Sequence, residues 1–336
     1  MKKLEETISL SFGNGGEKTS KLIEQIILPA IGNDALNLLG DGAILNTAGA
    51  IAFSTDSFVI YPLVFPGGDI GKLSVCGTVN DLLMCGSIPK FLSLSFIIEE
   101  GYSFKELKKI MASINNAAAE AGVKIVTGDT KVVDKGHGHG LYINTAGIGE
   151  RIQGVELGKN RISVGDKVIV SGNVGNHGIS ILCARENFID STIESDCAVL
   201  NEVVLAILKY GTEVKLLRDP TRGGVATTLN EFTEGMDYSI ELIENDIPID
   251  LTVKTACDLL GLDPLYSANE GKVLAVVSES IAASLIEDLE KLKLGKDAAI
   301  IGEVVSYVEG KVILKTNLGG KRILDKLNND ILPRIC

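Results

Sequence analysis

The pattern of apolar and polar positions divides the chain into short segments of changing period. Residues 7–19 predict a short alternating strand running into a glycine turn, Phe12-Gly13-Asn14-Gly15-Gly16-Glu17-Lys18-Thr19. An apolar strand over 50–55 delivers Asp56, and a helix from about Lys72 to Cys85 carries Asp81. Phe91 to Glu99 reads as a strand. Ser103, with Glu106 three residues on, marks a helix start, and the helical period lasts to about Ala121. Val123–Thr127 is a strand ending in Gly128-Asp129-Thr130-Lys131, and Leu141 to Gly149 closes the first half. The polar stretch 150–164, with Gly154 and Gly158, is the expected domain boundary.

The second half restarts with strand Lys167–Ser171 and two helices to about Tyr210. Strand Val214–Leu217 delivers Arg218-Asp219-Pro220-Thr221, and Gly223 and Gly224 open a helix. Strand Ser239–Ile243, helix Val253–Leu260, the turn Asn269-Glu270-Gly271, strand Lys272–Val277, a helix and two strands complete the pattern. It fades into a polar tail near Leu324. Both halves mix strands and helices without strict β-α alternation, so the expected fold is two α+β domains. They span residues 1–155 and 156–324, with a flexible tail over 325–336.

Composition narrows the function. The 336 residues carry a formal net charge of −12, with 45% hydrophobic and 23% charged positions. That is a globular balance whose acidity argues against nucleic acid or a membrane surface as partner. No apolar run reaches the roughly 18 residues of a spanning helix. Met1 to Glu6 has no signal-peptide core, so the expected location is the cytoplasm.

Asp41, Asp56, Asp129 and Asp219 fall at expected strand ends and turns, and Asp81 opens a helical turn in Asn80-Asp81-Leu82. Each alone reads more simply as a cap or turn residue. Together they suit a hard divalent cation, and magnesium takes a few carboxylates plus substrate phosphates. Such a cluster meets a nucleoside triphosphate only through bridging metal. The loop from Gly13 to Thr19 is not a P-loop, because Glu17 stands where glycine must precede the lysine. Gly15 and Gly16 suit either a flap whose amides touch phosphate or a plain hairpin turn. His137 and His139 read as part of a solvated loop, and Arg222 as a ligand of phosphate or of a carboxylate.

No two of the six cysteines have C-x-x-C spacing. Cys76, Cys85, Cys183, Cys197 and Cys257 lie in apolar stretches and read as small buried hydrophobes. Cys336 ends the chain in Pro333-Arg334-Ile335-Cys336, where folding asks least of a thiol. It is not a prenylation box, which needs the cysteine four residues from the end.

Several motifs carry a resemblance that covers nearly the whole chain. They are Phe53-Ser54-Thr55-Asp56-Ser57, Pro66-Gly67-Gly68, Gly77-Thr78-Val79-Asn80-Asp81-Leu82 and Thr127-Gly128-Asp129-Thr130-Lys131. Arg218-Asp219-Pro220-Thr221-Arg222-Gly223-Gly224, Ala268-Asn269-Glu270-Gly271-Lys272 and the terminal Pro-Arg-Ile-Cys complete the set. The sequence resembles the HypE family, maturation factors that make the cyanide ligands of [NiFe]-hydrogenases. Its superfamily includes aminoimidazole ribonucleotide synthetase, selenophosphate synthetase and thiamine monophosphate kinase. The aspartates do not choose among these, whereas the terminal cysteine does.

The resemblance implies an aminoimidazole ribonucleotide synthetase-like fold, whose N-terminal domains pair in a homodimeric β-barrel. It implies ATP and magnesium (Mg2+) at loops matching Asp41, Asp56, Asp81, Asp129 and Asp219, with Asp41, Asp56, Asp81 and Asp219 as metal ligands. It implies that Cys336 receives a carbamoyl group from HypF and that Lys131 and Glu270 flank the incoming tail. The HypC–HypD complex is the expected cyanide acceptor. One departure is visible, since related flaps often begin His-Gly whereas here Phe12 precedes Gly13.

The chemistry of the expected reaction agrees with these residue types. Dehydrating an S-carbamoyl group to a thiocyanate needs its oxygen turned into a leaving group, and phosphorylation by ATP does that. Glu270 is the expected base, Lys131 orients it or steadies negative charge, and Cys336 is the covalent carrier. The tail from Leu324 to Cys336 spans on the order of 40 Å when extended, at about 3.3–3.6 Å per residue. The competing expectations are a selenophosphate synthetase-like enzyme or a non-catalytic scaffold using Cys336. Against the former, Gly13 to Thr19 contains no cysteine.

Overall fold

The computed structural model describes residues 7–12, 17–38, 47, 49–186, 192–306 and 310–327. Asp41, Gly15, Gly16 and Cys336 lie outside the described residues.

The described residues 7–12 do not form the short strand expected before the glycine turn. Thr7 makes one isolated bridge to Ser103, Leu10–Phe12 is a 3-10 turn, and α1 (Glu17–Leu22) follows. The reason is Phe12, which is buried edge-on against Phe104 at 5.1 Å between centroids, so the chain wraps that ring instead of extending. A π-turn (Ile23–Ile27) links α1 to α2 (Leu28–Ile31). Leu28 N–H donates to Ile23 O, and Pro29, which has no N–H, comes next.

Strand β1 (Ile51–Phe58) is followed by the short hairpin β2 (Val64–Phe65) and β3 (Gly68–Asp69). Helix α3 (Ile70–Met84), β4 (Ser87–Glu99), α4 (Phe104–Ala121), β5 (Lys124–Val133) and β6 (Leu141–Arg151) complete the first unit. Its sheet runs β1-β6-β4-β5, antiparallel except for the β4–β5 pair. Alternation aims Ala52 and Phe58 of β1 and Leu92, Leu94, Phe96 and Ile98 of β4 at the helices, where all are buried. The opposite face leaves Phe53 64% and Ile97 44% exposed.

Only Lys72 and Asp81 of the fifteen residues in α3 escape burial. A helix buried almost all round is a central element, so its two remaining charges need a separate reason. Asp69 caps it, accepting from Gly71 N at 2.8 Å and Lys72 N at 3.0 Å, and it also takes the Ser113 hydroxyl of α4. Ser103 Oγ likewise accepts from Lys105 N at 3.2 Å, at the expected start of α4, and Gly122 ends that helix in the left-handed region at φ 68°.

The second unit comprises β7 (Lys167–Val170), α5 (Asn176–Glu186), α6 (Asn201–Leu208), β8 (Val214–Arg218), α7 (Gly224–Thr233) and β9 (Ser239–Ile243). Helix α8 (Leu251–Leu260), β10 (Leu274–Val277), α9 (Glu279–Leu289), β11 (Ala299–Val305), β12 (Val312–Lys315) and β13 (Lys321–Leu324) follow. The seven strands order as β13-β12-β9-β11-β7-β10-β8. Three strands rather than two follow α9. The extra one, β13, buries only Leu324, so its own sequence carries little strand signal and pairing with β12 makes it a strand. One apolar cluster joins the units, with Cys76, Val79 and Leu83 of α3 against Val199, Leu200 and Val203.

Candidate functional site

Two close approaches build the site. A Cβ at Gly77 of α3 would stand 2.9 Å from the Phe58 ring of β1 and 3.8 Å from Asp56 Oδ2. A Cβ at Gly147 of β6 would stand 2.8 Å from Leu82 Cδ1 and 2.9 Å from Thr78 Cγ2. Glycine at both positions lets the last turns of α3 lie flat on the sheet. Asp56, in the inward alternation of β1, therefore comes close to Asp81.

Ser54 Oγ donates to Asp81 Oδ2 at 2.7 Å, and Ser57 N–H donates to Asp56 Oδ1 at 2.8 Å. Asp219, directly after β8, supplies a third carboxylate and is 8% exposed. Burial, then the Asp81 charge, pushes the Asp219 carboxyl up to about 7. Burial also raises Asp81, with the Asp56 charge adding to it and Ser54, Arg218 and Arg222 opposing it. Arg222 reaches Asp56 Oδ1 at 3.6 Å, so the arginine meets a carboxylate. Asp81 lies in the helix expected to carry it and Asp219 directly after β8 as expected, whereas Asp56 lies within β1 rather than at its end.

Asp219 and Asp81 are both raised, each in part by neighbouring carboxylate charge, and such a set suits a cation. The donors are all oxygen, which fits magnesium. Among the described residues no three carboxylate, histidine or cysteine side chains converge tightly enough to cage a bare ion. Magnesium tolerates such partial sets, because water and phosphate oxygens complete its shell.

Asp129 and Lys131 stand apart from that cluster. Both lie within β5, not in a turn, and pair with each other at 2.7 Å. Lys131 holds the Asp129 carboxyl below its usual range. The register runs from Asp56 through Thr145 and Leu94 to Gly128, three strand spacings or about 14 Å. Asp129 is one residue further and pairs with Ser95, so it belongs to the outer face, as does Lys131 opposite Ile97. A cavity of about 200 Å³ adjoins them, floored by Leu94, Phe96 and Ile125 and roofed by Ile23, Ile27 and Ile31.

Glu270 is 5% exposed. Asn269 N and Nδ2 each donate to Pro220 O at 3.1 Å, which ties the loop carrying Glu270 to the residue after Asp219. Glu270 N–H donates to Asp196 Oδ1 at 3.0 Å. The side chains of Lys131 and Glu270 thus sit on different units, with Lys131 occupied by Asp129. Sequence reasoning passed over Asp196, Ser54 and the neighbouring Asn80. For Asn80 a signal existed, since asparagine is a poor choice inside a helix that buries nearly every position.

The chain leaves the second sheet along α7. Asn230 Nδ2 holds Leu324 O at 2.8 Å, Tyr266 OH holds Asp325 O at 2.9 Å, and Leu327 N–H donates to Thr227 Oγ1 at 3.4 Å. Thr227 is in the first turn of α7, the helix that begins five residues after Asp219. The nine residues from 328 to 336 span about 30 Å when extended.

Other candidates fall away from the site. His139 Nδ1 contacts Tyr142 OH at 2.9 Å in an exposed loop, and His177 is buried, its ring held neutral by burial that pushes it down to about 4. Cys76, Cys183, Cys197 and Cys257 are buried as expected, whereas Cys85 is exposed, because it caps the end of α3 where the chain turns.

The family model of the AIR synthase related protein N-terminal domain matches residues 39–151, and that of the C-terminal domain matches residues 163–315. A relative from Bradyrhizobium diazoefficiens named carbamoyl dehydratase HypE is 45% identical over 332 residues, covering 98% of this chain and 96% of that one. A crystal structure of the hydrogenase maturation protein HypE in complex with ATP superposes with a TM-score of 0.94 at 43% identity, covering 98% of this chain and 100% of that one. A chain from a HypE–HypF complex gives 0.80 at 45% identity, covering 91% and 99%. With this two-unit α+β architecture and likeness along its whole length, the chain belongs to the HypE family, the hydrogenase maturation proteins among the AIR synthase related proteins.

Proposed function

We propose that the chain is an ATP-dependent carbamoyl dehydratase that converts an S-carbamoyl group on Cys336 to a thiocyanate. The observation that carries this reading is the meeting of three carboxylates, half-buried at Asp56 and Asp81 and buried at Asp219, with a buried glutamate on a loop tied to the residue after Asp219. Asp56, Asp81 and Asp219 form the cluster, the Glu270 loop is bonded to Pro220, and the tail starts on α7. A relative named for this activity and a similar structure with ATP support it.

Asp56, Asp81 and Asp219 would hold magnesium, which when bound neutralises carboxylate and phosphate charge so that the two can meet. The carbamoyl nitrogen loses one proton as its oxygen takes the γ-phosphoryl group, and its second proton as that oxygen departs as phosphate. The net change is carbamoyl thioester and ATP to thiocyanate, ADP, phosphate and a proton. Glu270, desolvated at the loop next to Asp219, is the base for that proton.

Asp129 and Lys131 enter through a second copy. The outer sheet face exposes Ile51, Phe53, Ile88 and Ile97, and among the described residues the edge strands β1 and β5 each pair on one side only. Closure of two such sheets into a barrel covers that face and removes the edges. It also offers the second copy's Asp129 and Lys131 a route to the first copy's cluster. HypF, present in a complex of a similar protein, is the proposed carbamoyl donor, and HypC–HypD the acceptor.

The test is intact-mass analysis of the full chain carbamoylated by its partner. Loss of one water from the Cys336 peptide, only with ATP and magnesium, is the expected result. Glu270→Gln should accept carbamoyl yet dehydrate about 10²–10⁴-fold more slowly. Carbamoyl mass on another cysteine, or water loss without ATP, would remove this function. Hydrolysis of ATP with no change in the tail would favour a kinase or synthetase of the wider superfamily.

A further inference from the structure

The side chain of Asn80 touches both units at once. It sits in α3 immediately before Asp81 and is 1% exposed. Its Nδ2 donates to Ala198 O at 3.0 Å and to Glu270 O at 3.4 Å. Its Oδ1 accepts Leu200 N–H at 3.0 Å, at the residue that caps α6. Two donors facing carbonyls and an acceptor facing an amide define the carboxamide's orientation, since the flipped amide would oppose oxygen to oxygen.

The loop that Asn80 holds is gripped from its other side as well. Asp196 Oδ1 accepts Glu270 N–H at 3.0 Å, and Asp196 Oδ2 lies 3.3 Å from Lys272 Nζ. Ala198 N–H donates to Glu270 O at 3.4 Å. A Cβ at Gly271 would fall 1.8 Å from Asp196 O, so the two backbones meet as closely as glycine permits. Every main-chain polar group of Glu270 is therefore tied either to Asn80 or to the segment that Asn80 holds.

We infer that Asn80 is a positioning residue for the dehydration step, setting the place of the Glu270 base relative to the Asp81 end of α3. This rests on the reading of Glu270 as the base. Neighbouring helix positions point about 100° apart, so Asp81 faces the carboxylate cluster while Asn80 faces the second unit. One turn of one helix thus carries a metal-side carboxylate and the anchor of the base. Among the described residues no sheet runs through both units, so side chains such as this one fix spacing across the interface together with the shared apolar cluster and the Ser195 N–H to Pro66 O bond. Asn80 grips the backbone of Glu270 itself.

The experiment uses the full chain carbamoylated by its partner. Single-turnover dehydration is measured at saturating ATP and magnesium, with nucleotide affinity and thermal unfolding measured on the same protein. Asn80→Asp keeps the shape but sets a carboxylate against two carbonyl oxygens, and it should slow dehydration on the order of 10²-fold. Nucleotide affinity should stay within about threefold, because a positional shift of the base leaves binding intact. Asn80→Ser, smaller and uncharged, should show the same split and decides the matter where Asn80→Asp fails to fold. Asn80→Gln, which restores the carboxamide one methylene longer, should recover part of the rate.

Dehydration within twofold of wild type in Asn80→Ser, while Glu270→Gln is slow, would overturn the inference alone. Equal losses of nucleotide affinity and rate would overturn it too, by placing the effect at Asp81. Wild-type dehydration in Glu270→Gln would instead take down the underlying assignment of the base.

Discussion

A carboxyl at the end of β8, 8% exposed and faced by Asp81, is costly to ionise, and Asp219 accordingly keeps its proton up to about 7. The sign of the consequence follows from proton counting. Between the ordinary value of 3.8 and about 7 the folded state binds more protons than the unfolded chain, so stability falls as pH rises through that window. Asp81, also raised, adds to the fall. Without nucleotide or metal, the melting temperature should drop from pH 5 to pH 7.5, and magnesium should raise it more at the upper pH. Differential scanning fluorimetry checks this, with Asp219→Asn expected to flatten the profile. An unchanged profile in that variant would clear Asp219 of the effect. The acidic motifs were readable from the chain as candidates. Their titration was not, because it arises from burial by β8 and α3, which lie far apart in sequence.

At the scale of elements, the contact between β1 and α3 decides whether Asp56 and Asp81 share a site. Gly77 makes the contact possible, with the Phe58 ring 2.9 Å from where its Cβ would be. Gly77→Ala should push the strand away, costing about 1–3 kcal/mol of stability. It should also weaken magnesium-dependent ATP turnover, as Asp56 withdraws. Urea unfolding and a turnover assay on the same preparation check both arms, and a stability loss with full turnover would detach Asp56 from the site. The period of α4 was legible end to end, because its apolar stripe and its Ser103 and Gly122 caps are local signals. The segment 7–12 misled, because alternation promised a strand while the Phe12–Phe104 contact, 92 positions apart, bent it into a turn.

At the scale of the molecule, the described residues cover the first sheet on one face only. Ile51, Phe53, Ile88 and Ile97 give the other face an apolar row that water does not favour. If a second copy covers it, Phe53→Asp should convert a dimer to a monomer in sedimentation velocity, leaving far-ultraviolet circular dichroism unchanged. ATP turnover should fall with it, since Asp129 and Lys131 of the other copy would no longer reach the cluster. A monomeric wild type would defeat this expectation directly.

What the sequence by itself determined is local chemistry: where helices start and stop, which loops carry acids and glycines, and that Cys336 lies beyond the last apolar strand. Those features follow from backbone sterics, side-chain period and composition, which act over a few residues. Which acids meet was decided by tertiary structure alone. Asp56 joins Asp81 and Asp219, whereas Asp129, in an equally good motif, sits one residue out of register on the other face of the sheet. A strand alternates its faces with period two, so a single position of register, invisible in the motif, separates the core side from the outer side.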